Sequence, residues 1–189
     1  MLQHLITATL LTCLIAAPTL GKPFVDNDGR VIQVKNAYQR IISLYGAHTR
    51  NLIDMGAGAQ VVAIGRSDQQ LPDLPQLSFR DDPERLLALK PDLVLIRPML
   101  SHAYPETVER LTERGVAVVS LQPTSVEEMF RYWEMLGTLS GHEQEAEAMI
   151  ARFGAGLAAI AEKVSQAPES LRKPVHCESI QWRMRPCPA

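Results

Sequence analysis

The sequence predicts an α/β fold in which a parallel sheet of about four strands is flanked by helices. Short apolar runs alternate with amphipathic segments, which is the order typical of strands joined by right-handed helical crossovers. One run, Leu93–Ile96, is apolar at every position, as expected for a strand that is covered on both faces. Residues 143–164 then keep apolar side chains three and four positions apart, which predicts a long helix after the sheet.

The chain that precedes the sheet predicts a β-hairpin. Residues 24–34 hold two apolar stretches around an Asn-Asp-Gly turn at 27–29, and these turn residues tolerate positive φ. A calcium-binding EF-hand loop is excluded because its alternating acidic ligands and its distal Glu are missing. Residues 40–45 and 61–64 are predicted to be the first two strands of the sheet.

Residues 81–97 combine a short helix, a break and a buried strand. Asp82 is suited to cap the helix and Pro83 to occupy its first position, while Glu84 suits the positive end of the helix dipole. Pro91 ends the helix because proline disfavours helical geometry in the residue before it. Charge returns directly after the strand, and ligands of open α/β sheets bind at that end of the strands.

Two Ser-x-x-Glu patterns follow the fourth predicted strand, which lies at 116–119. Ser125 with Glu128, and Ser140 with Glu143, match the capping box, so each pair is predicted to open a helix. The complete prediction is a Rossmann-like parallel sheet that is preceded by a β-hairpin and followed by a long connecting helix.

Composition and motifs exclude several classes of function. The net charge of −2 gives no electrostatic case for binding nucleic acid or an anionic membrane. Cys13, Cys177 and Cys187 form no CxxC or zinc pattern. No Gly-rich phosphate loop follows a predicted strand, and neither a GxSxG elbow nor an HExxH motif occurs, so we do not expect an enzyme. A small doubly wound enzyme or regulatory module stays open as the alternative from another class.

The short helix, the Leu-Lys-Pro-Asp sequence at 89–92 and the strand after it resemble the periplasmic substrate-binding proteins of ABC importers for iron complexes and cobalamin. A hairpin with Asp-Gly-Arg at 28–30, ahead of the first core strand, is similar to that family as well. The resemblance covers about residues 24–180. It implies the first of two lobes, followed by the long helix that joins the lobes of this family as a stiff backbone.

The resemblance also implies a division of the chain. Residues 22–140 are expected to form the N-terminal lobe, and residues 141–167 the helix between the lobes. Residues 168–189 are expected to be the start of a second lobe that is missing, with an aberrant tail consistent with a truncated or frameshifted gene.

An apolar run at residues 5–17 is too short to span a bilayer and has the length of a signal-peptide core. Because small residues follow it, residues 1–21 are predicted to be a signal peptide, and the mature protein is expected in the periplasm. Cys13 lies within the run without small residues before it, so no lipid anchor is predicted.

Polar and aromatic side chains gather where the predicted strands end. If the strands are parallel, these positions share one edge of the sheet. Arginine binds carboxylate and phosphate groups with two parallel hydrogen bonds, and aromatic rings cover flat apolar ligand surfaces. The predicted ligand-binding residues are Tyr45, His48, Arg66, Arg80, Arg97, His102, Tyr104 and Gln122.

A metal complex with anionic groups suits such an edge. The resemblance implies that an iron complex, either a siderophore or haem, is captured there and delivered to a permease in the inner membrane, with cobalamin as the alternative cargo. No intrinsic cofactor or metal site is predicted, because His48 and His102 lack a third histidine nearby. The resemblance assigns permease docking to Glu84, although the helix dipole also explains an acid in the first helical turn. A monomer is expected.

Overall fold

The hairpin lies ahead of the sheet in a computed structural model that describes residues 23–166 and Pro168. It pairs β1 (Phe24–Val25) with β2 (Val31–Ile32) in antiparallel register, as the sequence predicts. The predicted signal peptide, and the segment after Pro168 that was expected to begin a second lobe, lie outside the described residues.

The main sheet has five strands, all parallel, in the order β5-β4-β3-β6-β7. The predicted parallel sheet is therefore confirmed, with one strand more than the sequence pattern shows. The additional strand, β5, has two residues and lies at an edge, within a proline-containing segment that has no strand pattern of its own. The strands are β3 (Ile41–Ser43), β4 (Val61–Gly65), β5 (Gln76–Leu77), β6 (Leu93–Ile96) and β7 (Ala117–Ser120).

Helices connect and follow the strands. One of them, directly after β6, is not predicted from the sequence, and it begins at Pro98, whose fixed φ suits a first helical position. The helices are α1 (Gly46–Asp54), α2 (Pro83–Leu87), α3 (Pro98–Ala103), α4 (Pro105–Glu113), α5 (Val126–Ser140) and α6 (Glu143–Gln166), and a 3-10 turn covers Ala57–Gln60.

Both faces of the sheet are buried. Along β6, Leu93 and Leu95 belong to a cluster with α1 and α5, while Val94 and Ile96 belong to a second cluster with α2 and α4. All four side chains are fully buried. A strand covered on both faces has no solvent-facing position, which explains its unbroken apolar run.

The Leu-Lys-Pro-Asp segment braces the amino end of the sheet. The Asp92 carboxylate accepts hydrogen bonds from the backbone N–H groups of Gln39 (2.7 Å) and Arg40 (2.8 Å), directly before β3. In return, the Arg40 guanidinium donates to the carbonyl oxygens of Leu89 (2.6 Å) and Lys90 (2.9 Å). Lys90 has φ 49°, a left-handed conformation that turns the chain between α2 and β6. The most recognisable motif of the sequence therefore has a structural role.

The two predicted capping boxes have different outcomes. Ser125 Oγ accepts a hydrogen bond from the Glu128 N–H at 3.2 Å and caps α5, as predicted. The capping box at Ser140 is wrong, because Ser140 is the last residue of α5 and its hydroxyl donates to a carbonyl of its own helix. Gly141 then turns the chain with φ 74°, a conformation that favours glycine, and α6 follows.

Contacts divide the chain into two compact units, Met1–Ile150 and Ala151–Ala189. The first unit holds the hairpin, the sheet and the first turns of α6, where Ala146 and Met149 are buried.

The second unit is described for the remainder of α6 and for Pro168. Its apolar side chains Leu157, Ile160 and Val164 are exposed. No described helix is both long enough and apolar enough to cross a membrane.

Candidate ligand-binding site at the carboxyl edge of the sheet

The carboxyl ends of the five strands lie at one edge of the sheet, because all five strands are parallel. We call this edge, with the loops and helix starts that follow the strands, the carboxyl edge. The ligand-binding residues that the sequence predicts follow the strands along the chain, and the structure separates them into exposed, half-buried and buried side chains.

Tyr45 and Arg97 meet at the centre of the carboxyl edge. Tyr45 follows β3 and Arg97 follows β6, and these two strands are neighbours in the sheet. The Arg97 Cζ atom lies 4.3 Å from the centroid of the Tyr45 ring, a cation–π geometry. Tyr45 is 37% exposed and Arg97 is half-buried. The pair therefore presents a positive charge beside an aromatic ring.

Arg66 and Arg80 are exposed and follow β4 and β5. The Arg66 guanidinium forms an ion pair with the Asp81 carboxylate. A hydrogen bond from the Ser78 N–H, together with the positive charge of Arg66, lowers the pKa of Asp81 below its usual value. In the described part of the chain, Arg80 forms no ion pair, so its guanidinium is available to an anionic ligand.

His102 and Gln122 lie beside the hairpin, whereas Tyr104 packs against the segment that follows β5. Tyr104 is half-buried, and its ring packs edge-on against Phe79 with centroids 6.3 Å apart, so it belongs mainly to the core. His102 is 74% exposed, with Nε2 3.5 Å from Oδ1 of Asp28 in the hairpin. Gln122 is exposed, and its backbone N–H donates to the hairpin turn at 2.8 Å.

His48 is buried, and both of its ring nitrogens have partners within the chain. Its Nε2 lies 3.2 Å from the Ile96 carbonyl, which can only accept, so Nε2 carries the proton and Nδ1 accepts from the Tyr132 hydroxyl at 2.8 Å. The Tyr132 oxygen in turn accepts from the Asn51 amide at 3.1 Å. Burial lowers the pKa of His48 to about 4 and raises the pKa of Tyr132. Because both ring nitrogens are occupied, this geometry favours a structural role for His48.

No group of three or more His, Cys, Asp or Glu side chains in the described residues is placed to hold a metal ion.

Residues 41–175 match the family described as periplasmic binding protein. The chain belongs to this family. Over 158 residues it is 25% identical to an uncharacterized ABC transporter substrate-binding lipoprotein, YvrC, of Bacillus subtilis, and the match covers 81% of this chain and 50% of that protein.

Two solved structures share the fold of this periplasmic binding protein. One is a possible iron-binding (periplasmic solute-binding) protein from Staphylococcus epidermidis, with a TM-score of 0.63, 24% identity, and coverage of 71% of this chain and 54% of that chain. The other is a periplasmic haem-binding protein from Pseudomonas aeruginosa, with a TM-score of 0.62, 24% identity, and coverage of 71% and 50%. The chain spans about half the length of these relatives.

Glu84 is half-exposed on this periplasmic binding protein and lies between two arginines. Its N–H donates to the Asp82 carboxylate, which caps α2 as the sequence predicts. Its Oε1 atom lies 3.0 Å from Arg110 on α4 and 3.5 Å from Arg114, the residue that follows α4. The side chain is 53% exposed, so a partner can reach it.

The hairpin turn is part of the carboxyl edge of this periplasmic binding protein, which the sequence does not reveal. The buried carboxylate of Asp26 accepts hydrogen bonds from the Ser120 N–H at the end of β7 (3.1 Å) and from Arg30. The Asn27 N–H donates to the Ser120 carbonyl at 2.9 Å. Only the Asn-Asp-Gly turn is visible in the sequence, and its partner lies more than ninety residues away.

Proposed function

We propose that this chain forms one lobe of the substrate-binding component of an ABC importer, and that the carboxyl edge is one wall of a site for an iron complex, either a siderophore or haem. The observation that carries the proposal is the Tyr45–Arg97 pair, which places a cation against an aromatic ring at the sheet edge. Ferric chelates and haem combine anionic groups with flat or apolar surfaces, and this pair suits both. Membership of the periplasmic binding protein family supports it.

Export to the periplasm and delivery to a membrane permease complete the proposed role. Glu84 is the proposed docking residue, since it is an exposed acid at the start of α2. In a two-lobe version of the protein, Glu84→Arg should lower transport while leaving ligand affinity unchanged, because it reverses the charge of the proposed docking residue at the start of α2, away from the carboxyl ends of the strands. Glu106→Arg on α4 is the matched control. Equal loss of transport and of ligand binding in the Glu84 variant would contradict the docking role.

Ligand binding by the chain itself is expected to be weak. Binding pockets typically cover about 70–90% of a ligand's surface, and one wall supplies only part of that contact. The entropic cost of capturing the ligand remains, although the contact area is smaller.

Calorimetric titration of the full chain with haem, a ferric siderophore and cobalamin tests the proposal. We expect weak binding of an iron complex and a further loss of affinity in Arg97→Gln. Arg50→Gln is the control, because Arg50 pairs with Asp54 at the far end of α1. Tight stoichiometric binding to the monomer would show that one wall is sufficient for binding, and it would contradict the expected weak affinity. Stronger binding of cobalamin than of either iron complex would overturn the proposed cargo.

A further inference from the structure

His48 is a buried neighbour of the Tyr45–Arg97 pair. Its imidazole ring packs edge-on against the Tyr45 ring, with the two centroids 5.2 Å apart and an angle of 83° between the ring planes. The Arg97 guanidinium lies over that same Tyr45 ring. Because His48 is buried and Tyr45 is partly exposed, the imidazole supports the tyrosine ring from the interior of the protein.

A hydrogen bond also connects His48 to the other member of the pair. Its Nε2 atom lies 3.2 Å from the carbonyl oxygen of Ile96, the residue before Arg97. The same oxygen accepts from the N–H of Leu121, the residue after β7, at 3.0 Å. A carbonyl oxygen has two lone pairs, so both bonds can form. The peptide group that joins Ile96 to Arg97 is therefore held by two donors.

Helix α5 fixes the imidazole ring itself. The Tyr132 hydroxyl donates to Nδ1 of His48 at 2.8 Å, and its oxygen accepts from the Asn51 amide at 3.1 Å. The Asn51 side-chain oxygen accepts in turn from the Trp133 indole N–H at 3.2 Å. Buried polar networks whose members all have partners make the structure around them rigid. The His48 ring is therefore held in a single orientation.

The guanidinium of Arg97 depends on this arrangement. Among the described residues it forms no ion pair, and the Tyr45 ring is the side chain that it contacts. A cation–π contact at a partly exposed site is weak. Its geometry therefore depends on how firmly the ring and the backbone on either side are held.

We propose that His48 is a positioning residue of the ligand-binding site. By contacting the Tyr45 ring and by anchoring the peptide group before Arg97, it keeps the ring and the cation stacked at the carboxyl edge. A pair that is already ordered loses less conformational freedom when a ligand binds, so the affinity is higher. This inference rests on the proposed function, because the pair that His48 orients is the one proposed to bind the iron complex. His48 acts on that ligand only through Tyr45 and Arg97.

Proton NMR spectra of the ligand-free full chain at pH 7 test the positioning directly. The ring current of Tyr45 should shift the δ-proton signals of Arg97 upfield, because the adjacent guanidinium lies over the ring. Arg97→Gln assigns these signals, and Tyr45→Leu shows how much of the shift the ring causes. In His48→Met we expect less than half of the upfield shift to remain, because the thioether fills space but cannot donate to the Ile96 carbonyl.

A rescue variant and a stability control make the test specific. His48→Gln should recover most of the upfield shift, since its amide can donate to the Ile96 carbonyl as Nε2 does. Leu52→Val removes buried apolar volume from the same helix and should keep the wild-type shift. A wild-type shift in His48→Met, or equal losses in all three variants, would overturn the proposal. If His48→Met does not fold, Tyr132→Phe decides, because it removes the donor to Nδ1, and an unchanged Arg97 shift in that variant refutes the proposal.

Titration with haem separates this inference from the proposed function. The Kd for haem should rise about fivefold in His48→Met and recover in His48→Gln. Haem binding with an unchanged Kd in His48→Met would overturn the positioning role and leave the proposed function standing. If the wild-type chain binds neither haem nor a ferric siderophore, the proposed function fails, and the Arg97 signals of the ligand-free chain still decide whether His48 positions the pair.

Discussion

Acidification is expected to destabilise the first compact unit through one buried imidazole. Burial lowers the pKa of His48 from 6.5 to about 4, the bond to the Ile96 carbonyl opposes this in part, and the Arg97 charge adds to it. The unfolded chain therefore takes up a proton at His48 at a higher pH than the folded chain does. The neutral imidazole contributes stability that is fully present above pH 6.5 and is lost as the pH falls toward 4.

The size of this effect follows from the two pKa values. A difference between 6.5 and about 4 corresponds to a limit of about 3 kcal/mol, which is reached near pH 4. At pH 5 the loss is already about 2 kcal/mol, because His48 is almost fully protonated in the unfolded chain and mostly neutral in the folded chain. Ordinary carboxylates stay ionised between pH 7 and pH 5. The change in the free energy of unfolding over this interval therefore comes mainly from histidines.

Urea unfolding at pH 7 and pH 5, followed by circular dichroism, measures the difference directly. In His48→Gln we expect the free energy of unfolding to fall at both pH values, and its pH dependence to shrink by about 2 kcal/mol. Leu52→Ala on the same helix is the control, because it removes buried apolar surface without a titratable group and should leave the pH dependence intact. A wild-type chain equally stable at both pH values, or an undiminished pH dependence in His48→Gln, would refute the reasoning.

Two further substitutions test packing and the brace at the amino end of the sheet. Gly137→Ala should destabilise the chain by about 1–3 kcal/mol in urea unfolding, because the new Cβ would lie 2.7 Å from the Cβ of Ala146. Gly154→Ala in α6 meets nothing within 4 Å and should instead favour the helix by up to about 1 kcal/mol, so equal effects would contradict the close contact. Asp92→Ala should cost about 1–2 kcal/mol in thermal unfolding, because two exposed backbone N–H groups exchange a charged acceptor for water. Asp73→Ala in an exposed loop is its control, and a matching loss there would rule out the brace.

Several structural features are readable from the sequence because they depend on neighbours along the chain. Asp82 caps α2 through an atom two residues away, and the apolar run of β6 reports burial on both faces. The hairpin turn and the helical spacing of α6 also depend on residues that are close together along the chain. Ser140 shows the limit of such local patterns. It matches the sequence of an N-cap, but it is the last residue of α5, and its hydroxyl donates to a carbonyl of that helix.

The candidate site depends much less on local pattern. Tyr45 and Arg97 lie fifty-two positions apart along the chain (97 − 45), and β3 and β6 bring them together only because they are neighbours in the sheet. The sequence places His48 beside Tyr45 at the end of a strand, but its helical position turns the ring inward to Tyr132.

The sequence by itself determined that the chain forms a parallel α/β sheet with polar residues at the strand ends. Strand burial and helix capping can be predicted because they depend on residues that are close together in the chain. Only the tertiary structure decided which of those polar residues face solvent, and it alone placed the hairpin turn against the end of β7. The physical reason is that strand order and the docking of the hairpin are set by contacts between residues far apart in the chain. No local pattern encodes which partner a buried histidine or an aspartate oxygen will meet.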